Sequence, residues 1–203
     1  HIFIDGFGGM TQGLFATLII GTMIQQIGLL IGGSTGNVIY LLGKAAAALT
    51  SAGIGVGVAV KYGESPLVTV SAAVAAMVGG YAGKITGGTF FVDGNAVLAG
   101  PGEPLGAFIA AFAGITCGHL VSGKTKVDII VTPVITIGAG SVVGLLVGPP
   151  ISHMMTGLGS IINWATEQRP FIMGIVVSVV MGMVLTLSLI HISAPTRPRL
   201  ISY

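Results

Sequence analysis

The feature that most constrains this sequence is the length of its uncharged stretches. Residues 6–43 contain no Asp, Glu, Lys or Arg. The whole chain is 7% charged and 53% hydrophobic, whereas a soluble domain carries roughly 25% charged residues. So few charges cannot cover a surface that faces water. Lipid must therefore surround this chain, and a helix needs about 20 apolar residues to cross a bilayer.

Charged residues and breaks divide the chain into about six predicted membrane-spanning helices. These spans lie near residues 10–31, 37–60, 66–82, 104–121, 129–147 and 171–187. Gly148-Pro149-Pro150 precedes residues 151–166, which we expect to form an interfacial or re-entrant segment. The sequence thus predicts an all-α polytopic membrane protein.

Glycine is unusually frequent, with 34 residues, or about 17% of the chain against a usual level of roughly 7%. In a bilayer, small residues let helix backbones approach closely. Several glycines lie four positions apart, as in the pairs Gly9/Gly13 and Gly53/Gly57. We therefore expect the helices to pack through glycine.

The few charged and sulfur-containing residues exclude several functions. A net charge of +2 gives no basic cluster that could track a nucleic acid. Cys117 is the single cysteine, which excludes an internal disulfide and a cysteine-based metal cluster. Residues 118–125 have the spacing of a phosphate-binding P-loop, but a membrane span precedes them, so we interpret them as a turn at the membrane surface. We predict no nucleic-acid partner, no cofactor and no metal ion.

The strongest candidate binding residue is Glu103, in the segment Gly100-Pro101-Gly102-Glu103-Pro104. Two prolines and two glycines prevent a regular helix there, and irregular backbone at membrane depth is tolerated where it lines a cavity. A carboxylate in such a place could accept two hydrogen bonds from the hydroxyl groups of a sugar. The alternative is a solvated loop residue just before a span.

Three further residues are candidate substrate ligands. Asp93 and Asn95 follow Phe90 and Phe91, so hydrogen-bonding groups lie beside rings that could stack on a sugar; the alternative is a simple turn. His119 lies near the end of the fourth span. It is either a ligand or proton relay, or a histidine whose polar tip reaches the interface.

Several stretches resemble a bacterial membrane-protein family. Residues 122–150, SGKTKVDIIVTPVITIGAGSVVGLLVGPP, and the later INWATEQRPFIMGIVVSVVMGM are similar to the compact IIC-type permease of the sugar phosphotransferase system. The N-terminal GLFATLIIGTMIQQIG is similar as well, so the resemblance covers most of residues 5–187. The block from Lys124 to Pro133 and Gly148-Pro149-Pro150 are its most specific parts.

The resemblance implies a permease subunit in the bacterial cytoplasmic membrane that binds a sugar and presents it to a phosphorylated IIB partner. Import and phosphorylation are then coupled, a IIA protein supplies IIB, and the chain itself needs no catalytic residue. The resemblance also implies a homodimer. In glucose-type permeases a Gly-Ile-Thr-Glu-Pro turn supplies the sugar-binding glutamate, and Glu103-Pro104 matches its last two residues.

Two other functions stay open at this point. An ion-coupled secondary transporter would use the sparse membrane carboxylates Glu103 and Asp93, and a non-transporting membrane regulator would need no cavity.

The segment LSLIHISAPTR resembles a translated sequencing adapter. We therefore expect residues 1–187 to be a IIC-like transmembrane domain with both ends incomplete, and residues 188–203 to be a non-native tail.

Overall fold

The computed structural model of the protein describes residues 2–92, 95–98, 100–168, 174–175 and 178–179. Packing divides the chain after Met154, and the arrangement given below concerns the part before this point. The described residues are mostly helical. The helices are α1 (Ile2–Leu14), a π-helical segment (Phe15–Ile19), α2 (Ile20–Ile31), α3 (Gly33–Ala48), α4 (Thr50–Lys61), α5 (Pro66–Gly80), α6 (Ala82–Thr86), α7 (Pro104–Val121) and α8 (Asp128–Gln168).

Within the described residues, three helical stretches are long and apolar enough to cross a membrane: Asp5–Ile31, Pro104–Val121 and Asp128–Gly157. The bent pair α3 and α4 adds a fourth if both helices belong to one span, whereas α5 is apolar but has only 15 residues. These helices agree with an integral membrane protein of the all-α class. The predicted last span, 171–187, lies outside the described residues except for 174–175 and 178–179.

The second predicted span, 37–60, is divided into two helices. Helix α3 ends at Ala48, Leu49 has φ −87° and ψ 10°, and α4 leaves at an angle of 52°. The Thr50 hydroxyl donates a hydrogen bond of 2.6 Å to the Ala47 carbonyl oxygen, and such bonds from Ser or Thr side chains compete with the helical bonds and bend helices. The span therefore has a break in its middle that we did not predict.

Helix α8 continues through Gly148-Pro149-Pro150, where we predicted an end. Proline lacks the amide donor and disfavours a helix interior by about 3 kcal/mol, but membrane helices tolerate it when neighbouring groups satisfy the freed carbonyls. The helix passes this point and extends as far as Gln168, the last described residue before the gap at 169–173. The separate interfacial or re-entrant segment expected over 151–166 is therefore part of α8.

The core before Met154 lies where α4, α5 and α7 pack together. Ile54, Val58 and Val68 are completely buried there, with Phe108 of α7 beside them. Helix α1 runs antiparallel to α4, and the two backbones approach so closely that a Cβ on Gly9 would lie 2.5 Å from the Gly57 carbonyl oxygen.

Helices α2 and α3 form a separate antiparallel hairpin. Its turn is at Gly32 and Gly33, which both have φ +64°, a conformation that glycine adopts without a steric penalty. This turn confirms the predicted break after the first span. A Cβ on Gly43 would lie 2.5 Å from the Gly21 carbonyl oxygen, so the hairpin is closely packed along its length.

Candidate functional site

The candidate residues lie at two opposite ends of α7. Glu103 immediately precedes this helix and His119 is in its last turn. They are sixteen positions apart, which corresponds to about 24 Å at a rise of about 1.5 Å per residue. A monosaccharide held at one of these residues does not reach the other, so the structure forms two sites from them rather than one.

The loop that carries Glu103 is folded against the end of α5. Gly100 and Gly102 have φ values of 80° and 75°, which glycine adopts readily. A Cβ on Gly102 would lie 2.5 Å from Ser51 Oγ, so only glycine fits this position without movement. The backbone N–H of Glu103 donates a hydrogen bond of 2.7 Å to the Gly80 carbonyl oxygen, which fixes the start of α7 beside the end of α5.

A cavity of about 380 Å³ adjoins this loop. Its lining comes from the end of α5, from α6, from the loop and from α8: Gly80, Gly83, Lys84, Gly100, Pro101, Gly102, Glu103 and Ser152. Among the described residues of the wall, the polar side chains are one carboxylate, one ammonium group and one hydroxyl group. These groups are of the types that hydrogen-bond a polyhydroxylated ligand.

Glu103 is half-buried and holds the N-cap position of α7, but its side chain does not cap the helix. In the part of the chain that the structure describes, its carboxylate makes no hydrogen bond and no ion pair. An ionised carboxylate in partly buried surroundings is costly unless it is hydrogen-bonded. Its two oxygens are thus available as acceptors for a ligand in the cavity.

Two hydroxyl groups of the core, which we did not predict, form hydrogen bonds to the backbone of this loop. Ser51 Oγ donates a hydrogen bond of 3.0 Å to the Pro101 carbonyl oxygen. Tyr81 Oη lies within hydrogen-bond distance of the carbonyl oxygens of Gly100 and Ala48. Both side chains are buried in the core. The sequence gives a weak signal for Tyr81 alone, since a buried tyrosine needs a partner for its hydroxyl group.

Asn95 and the neighbouring aromatic residues lie in a short hairpin before this loop. Strand β1 (Phe91–Val92) pairs antiparallel with β2 (Asn95–Ala96), and Asn95 is opposite Val92 and exposed. Asn95 is not among the cavity-lining residues, and Asp93 lies outside the described residues. The Phe90 ring packs on Tyr81 with centroids 5.4 Å apart, so this aromatic residue lies next to the loop of Glu103.

His119 joins the end of α7 to the turn between α4 and α5. Its Nδ1 lies 3.0 Å from Glu64 Oε1, and the side chains are 70% and 10% exposed respectively. In the same region Ser65 and Ser122 hydroxyl groups lie 3.2 Å apart. These contacts place Lys61 and the loop of residues 122–127 at one end of the bundle.

The segment with P-loop spacing is a turn in the structure. Helix α7 continues to Val121, and Gly123 has φ +74°. The Gly123 N–H donates a hydrogen bond of 2.9 Å to Asp128 Oδ1, so a carboxylate of the chain itself holds an amide that a P-loop would present to phosphate. This geometry agrees with the interpretation as a surface turn.

Comparison with known protein families gives a match over residues 4–190 to the family described as phosphotransferase system, EIIC. No significant match to a curated protein or to a solved structure was found. The family match covers most of the 203 residues and agrees with the apolar helices of the structure. The chain therefore belongs to the EIIC family, the membrane permease subunits of the sugar phosphotransferase system.

Proposed function

We propose that this chain binds a sugar in the cavity beside Glu103 and presents it to a phosphorylated IIB partner, so that import and phosphorylation are coupled. One observation carries the sugar-binding part of this proposal. A half-buried carboxylate without a partner in the described part of the chain faces a cavity at an irregular loop. Irregular backbone in a membrane protein is found where it lines such a cavity.

The cavity offers groups suited to hydroxyl-rich ligands. The two oxygens of Glu103 accept hydrogen bonds from two hydroxyl groups, and the Lys84 and Ser152 side chains also line the cavity. Hydrogen bonds to a charged group are the stronger ones, at about 1.5–3 kcal/mol each. Loss of the charge at Glu103 is therefore expected to lower sugar affinity more than loss of the uncharged Ser152 hydroxyl group.

The phosphoryl group comes from the IIB partner, which a IIA protein phosphorylates in turn. Phosphoryl transfer depends mainly on positioning and on charge stabilisation. The contribution of this chain is to hold one sugar hydroxyl group in line with the phosphate of IIB. A rigid-body movement of one group of helices against another then gives the cavity access to either side of the membrane.

We further propose the number of spans, the membrane, the oligomeric state and the orientation of this permease. About six spans pack through glycine in the bacterial cytoplasmic membrane, and two copies form a homodimer. The end with Lys61, Lys124 and Lys126 faces the cytoplasm, because cytoplasmic loops carry more Lys and Arg than external ones. Asp93 and Asn95 remain candidate ligands, and His119 remains a candidate for a separate ligand or proton-relay role at the end of α7 far from Glu103.

Sugar binding to the purified full-length protein in lipid nanodiscs tests the site. A panel of radiolabelled mono- and disaccharides identifies the sugar, whose Kd is then compared in Glu103→Gln and in the control Glu64→Gln. Glu64 is also a half-buried glutamate, but it lies at the other end of α7. We expect Glu103→Gln to weaken binding at least 30-fold, as expected for loss of about 2 kcal/mol or more, and Glu64→Gln to change Kd less than twofold. Wild-type affinity in a folded Glu103→Gln protein would refute the assignment.

A further inference from the structure

Tyr81 connects two parts of the protein that are far apart in the sequence. It lies between α5 and α6, and only 1% of it is exposed. Its Oη is 3.1 Å from the Ala48 carbonyl oxygen and also lies within hydrogen-bond distance of the Gly100 carbonyl oxygen. Ala48 is the last residue of α3 before the break at Leu49, and Gly100 begins the loop that carries Glu103.

The two acceptors share a single donor. A tyrosine hydroxyl group has one proton, so a full hydrogen bond to one carbonyl weakens the bond to the other. Buried carbonyl groups at a helix end need donors from outside the helix. If the loop moves away from Tyr81, the hydrogen bond to the Gly100 carbonyl oxygen is lost. The same hydroxyl proton then forms a stronger hydrogen bond to the Ala48 carbonyl oxygen.

Ser51 reinforces the same connection. It is completely buried at the start of α4, and its hydroxyl group donates to the Pro101 carbonyl oxygen at 3.0 Å. A Cβ on Gly80 or on Gly102 would collide with Ser51 Oγ, so these glycines permit its position. Two hydroxyl groups thus hold consecutive carbonyls of the loop against the start of α4 and the end of α3.

We infer that Tyr81 is a positioning residue for Glu103, whose hydroxyl group couples the sugar-binding loop to the bend between α3 and α4. Residues 100–102 are described and have no helical conformation, so the bonds from Tyr81, from Ser51 and from the Glu103 amide to Gly80 set where the carboxylate lies. The effect on sugar binding rests on the proposed function of Glu103, whereas the effect on the loop does not.

Hydrogen–deuterium exchange of the full-length protein in nanodiscs measures the loop without any sugar. Tyr81→Phe removes only the hydroxyl group and keeps the ring that packs on Phe90. We expect the exchange of peptides covering residues 97–105 to become about five- to tenfold faster, as expected for loss of one hydrogen bond, while the interior of α7 stays protected. Tyr40→Phe removes a tyrosine hydroxyl group from the α2–α3 hairpin and serves as the matched control, with no change at the loop.

Sugar binding then separates positioning from general stability. In Tyr81→Phe we expect a Kd about five- to tenfold higher, and saturating sugar should restore the protection of residues 97–105 because the ligand holds Glu103 in place. Unchanged loop exchange in Tyr81→Phe overturns the inference, and so does a loss of protection that extends through α5 and α7.

Two further results keep the test decisive. Should Tyr81→Phe not fold, Ser51→Ala is expected to give the same local increase in exchange, and its absence overturns the inference. Wild-type sugar affinity in Glu103→Gln together with faster loop exchange in Tyr81→Phe would refute the proposed sugar site while supporting the coupling of the loop to the bend.

Discussion

Gly79 lies where α5 packs tightly against α7, and adding one methyl group there is expected to destabilise the protein. A Cβ on Gly79 would lie 2.5 Å from the Gly106 carbonyl oxygen and even closer to the Ala110 Cβ. Non-bonded atoms of this kind prefer about 3.5–4.0 Å, so α5 and α7 must separate by roughly 1 Å. The two obstacles are a backbone oxygen and a methyl group fixed to the backbone, so neither can rotate away.

Two opposing energies decide the outcome of Gly79→Ala. Overpacking a tight contact costs about 1–3 kcal/mol, whereas replacing glycine by alanine within a helix gains about 0.5–1 kcal/mol. The clash is the larger of the two, and the expected net loss is roughly 1–2 kcal/mol. For a chain of this size such a loss lowers Tm by about 2–8 °C.

Gly138→Ala in α8 provides the matched control. No atom lies within 4 Å of a Cβ at this position, so only the gain in helix propensity remains and Tm should stay equal or rise slightly. Thermal unfolding of both variants in the same detergent, followed by intrinsic fluorescence or by circular dichroism, measures the difference. A Gly79→Ala protein as stable as the Gly138→Ala protein would refute the reasoning about close helix packing at this position.

Two more predictions concern the end of α7 that carries His119. Asp128→Ala removes the acceptor of the Gly123 amide and of the buried Thr132 hydroxyl group, which donates to it at 2.6 Å; we expect a loss of about 1–3 kcal/mol, measured as a lower Tm. His119→Ala removes the contact of Nδ1 with Glu64 Oε1, in which the histidine side chain is 70% exposed, and even charged pairs with such an exposed partner contribute only about 0–1 kcal/mol. Its Tm should therefore fall by no more than about 4 °C, and a larger fall would show that the pair with Glu64 is a main support of this end.

The membrane class and several helix ends could be predicted from the sequence. Both depend on features of neighbouring residues: the length of the uncharged stretches and the glycines at turns. The turn at Gly32 and the start of α5 at Pro66 are two such cases, and Ser65 caps α5 with a bond to the Val68 amide. The break at Leu49 could not be predicted in this way. The residues around it, AAAALTS, include neither proline nor glycine, and the hydroxyl group of Tyr81 reaches the break only in the folded protein.

Prediction of the candidate site from the sequence was limited for the same reason. The irregular composition around Glu103 identifies a loop that is suited to line a cavity, since prolines and glycines act locally. Lys84 and Ser152 join that cavity only because α6 and α8 pack beside the loop. The distance between Glu103 and His119, in contrast, could be predicted from the sequence, because the predicted span 104–121 has the same bounds as α7.

Phosphorylation-coupled uptake tests the central claim most directly. Membrane vesicles that contain the full-length protein are given the phosphoenolpyruvate relay with its IIA and IIB proteins and a labelled sugar panel, and the internal label is analysed for phosphate. We predict phosphorylated sugar inside the vesicles, with uptake that requires IIB. Accumulation of unmodified sugar without the relay would contradict the account in favour of a secondary transporter, and no uptake of any sugar would contradict it in favour of a membrane regulator.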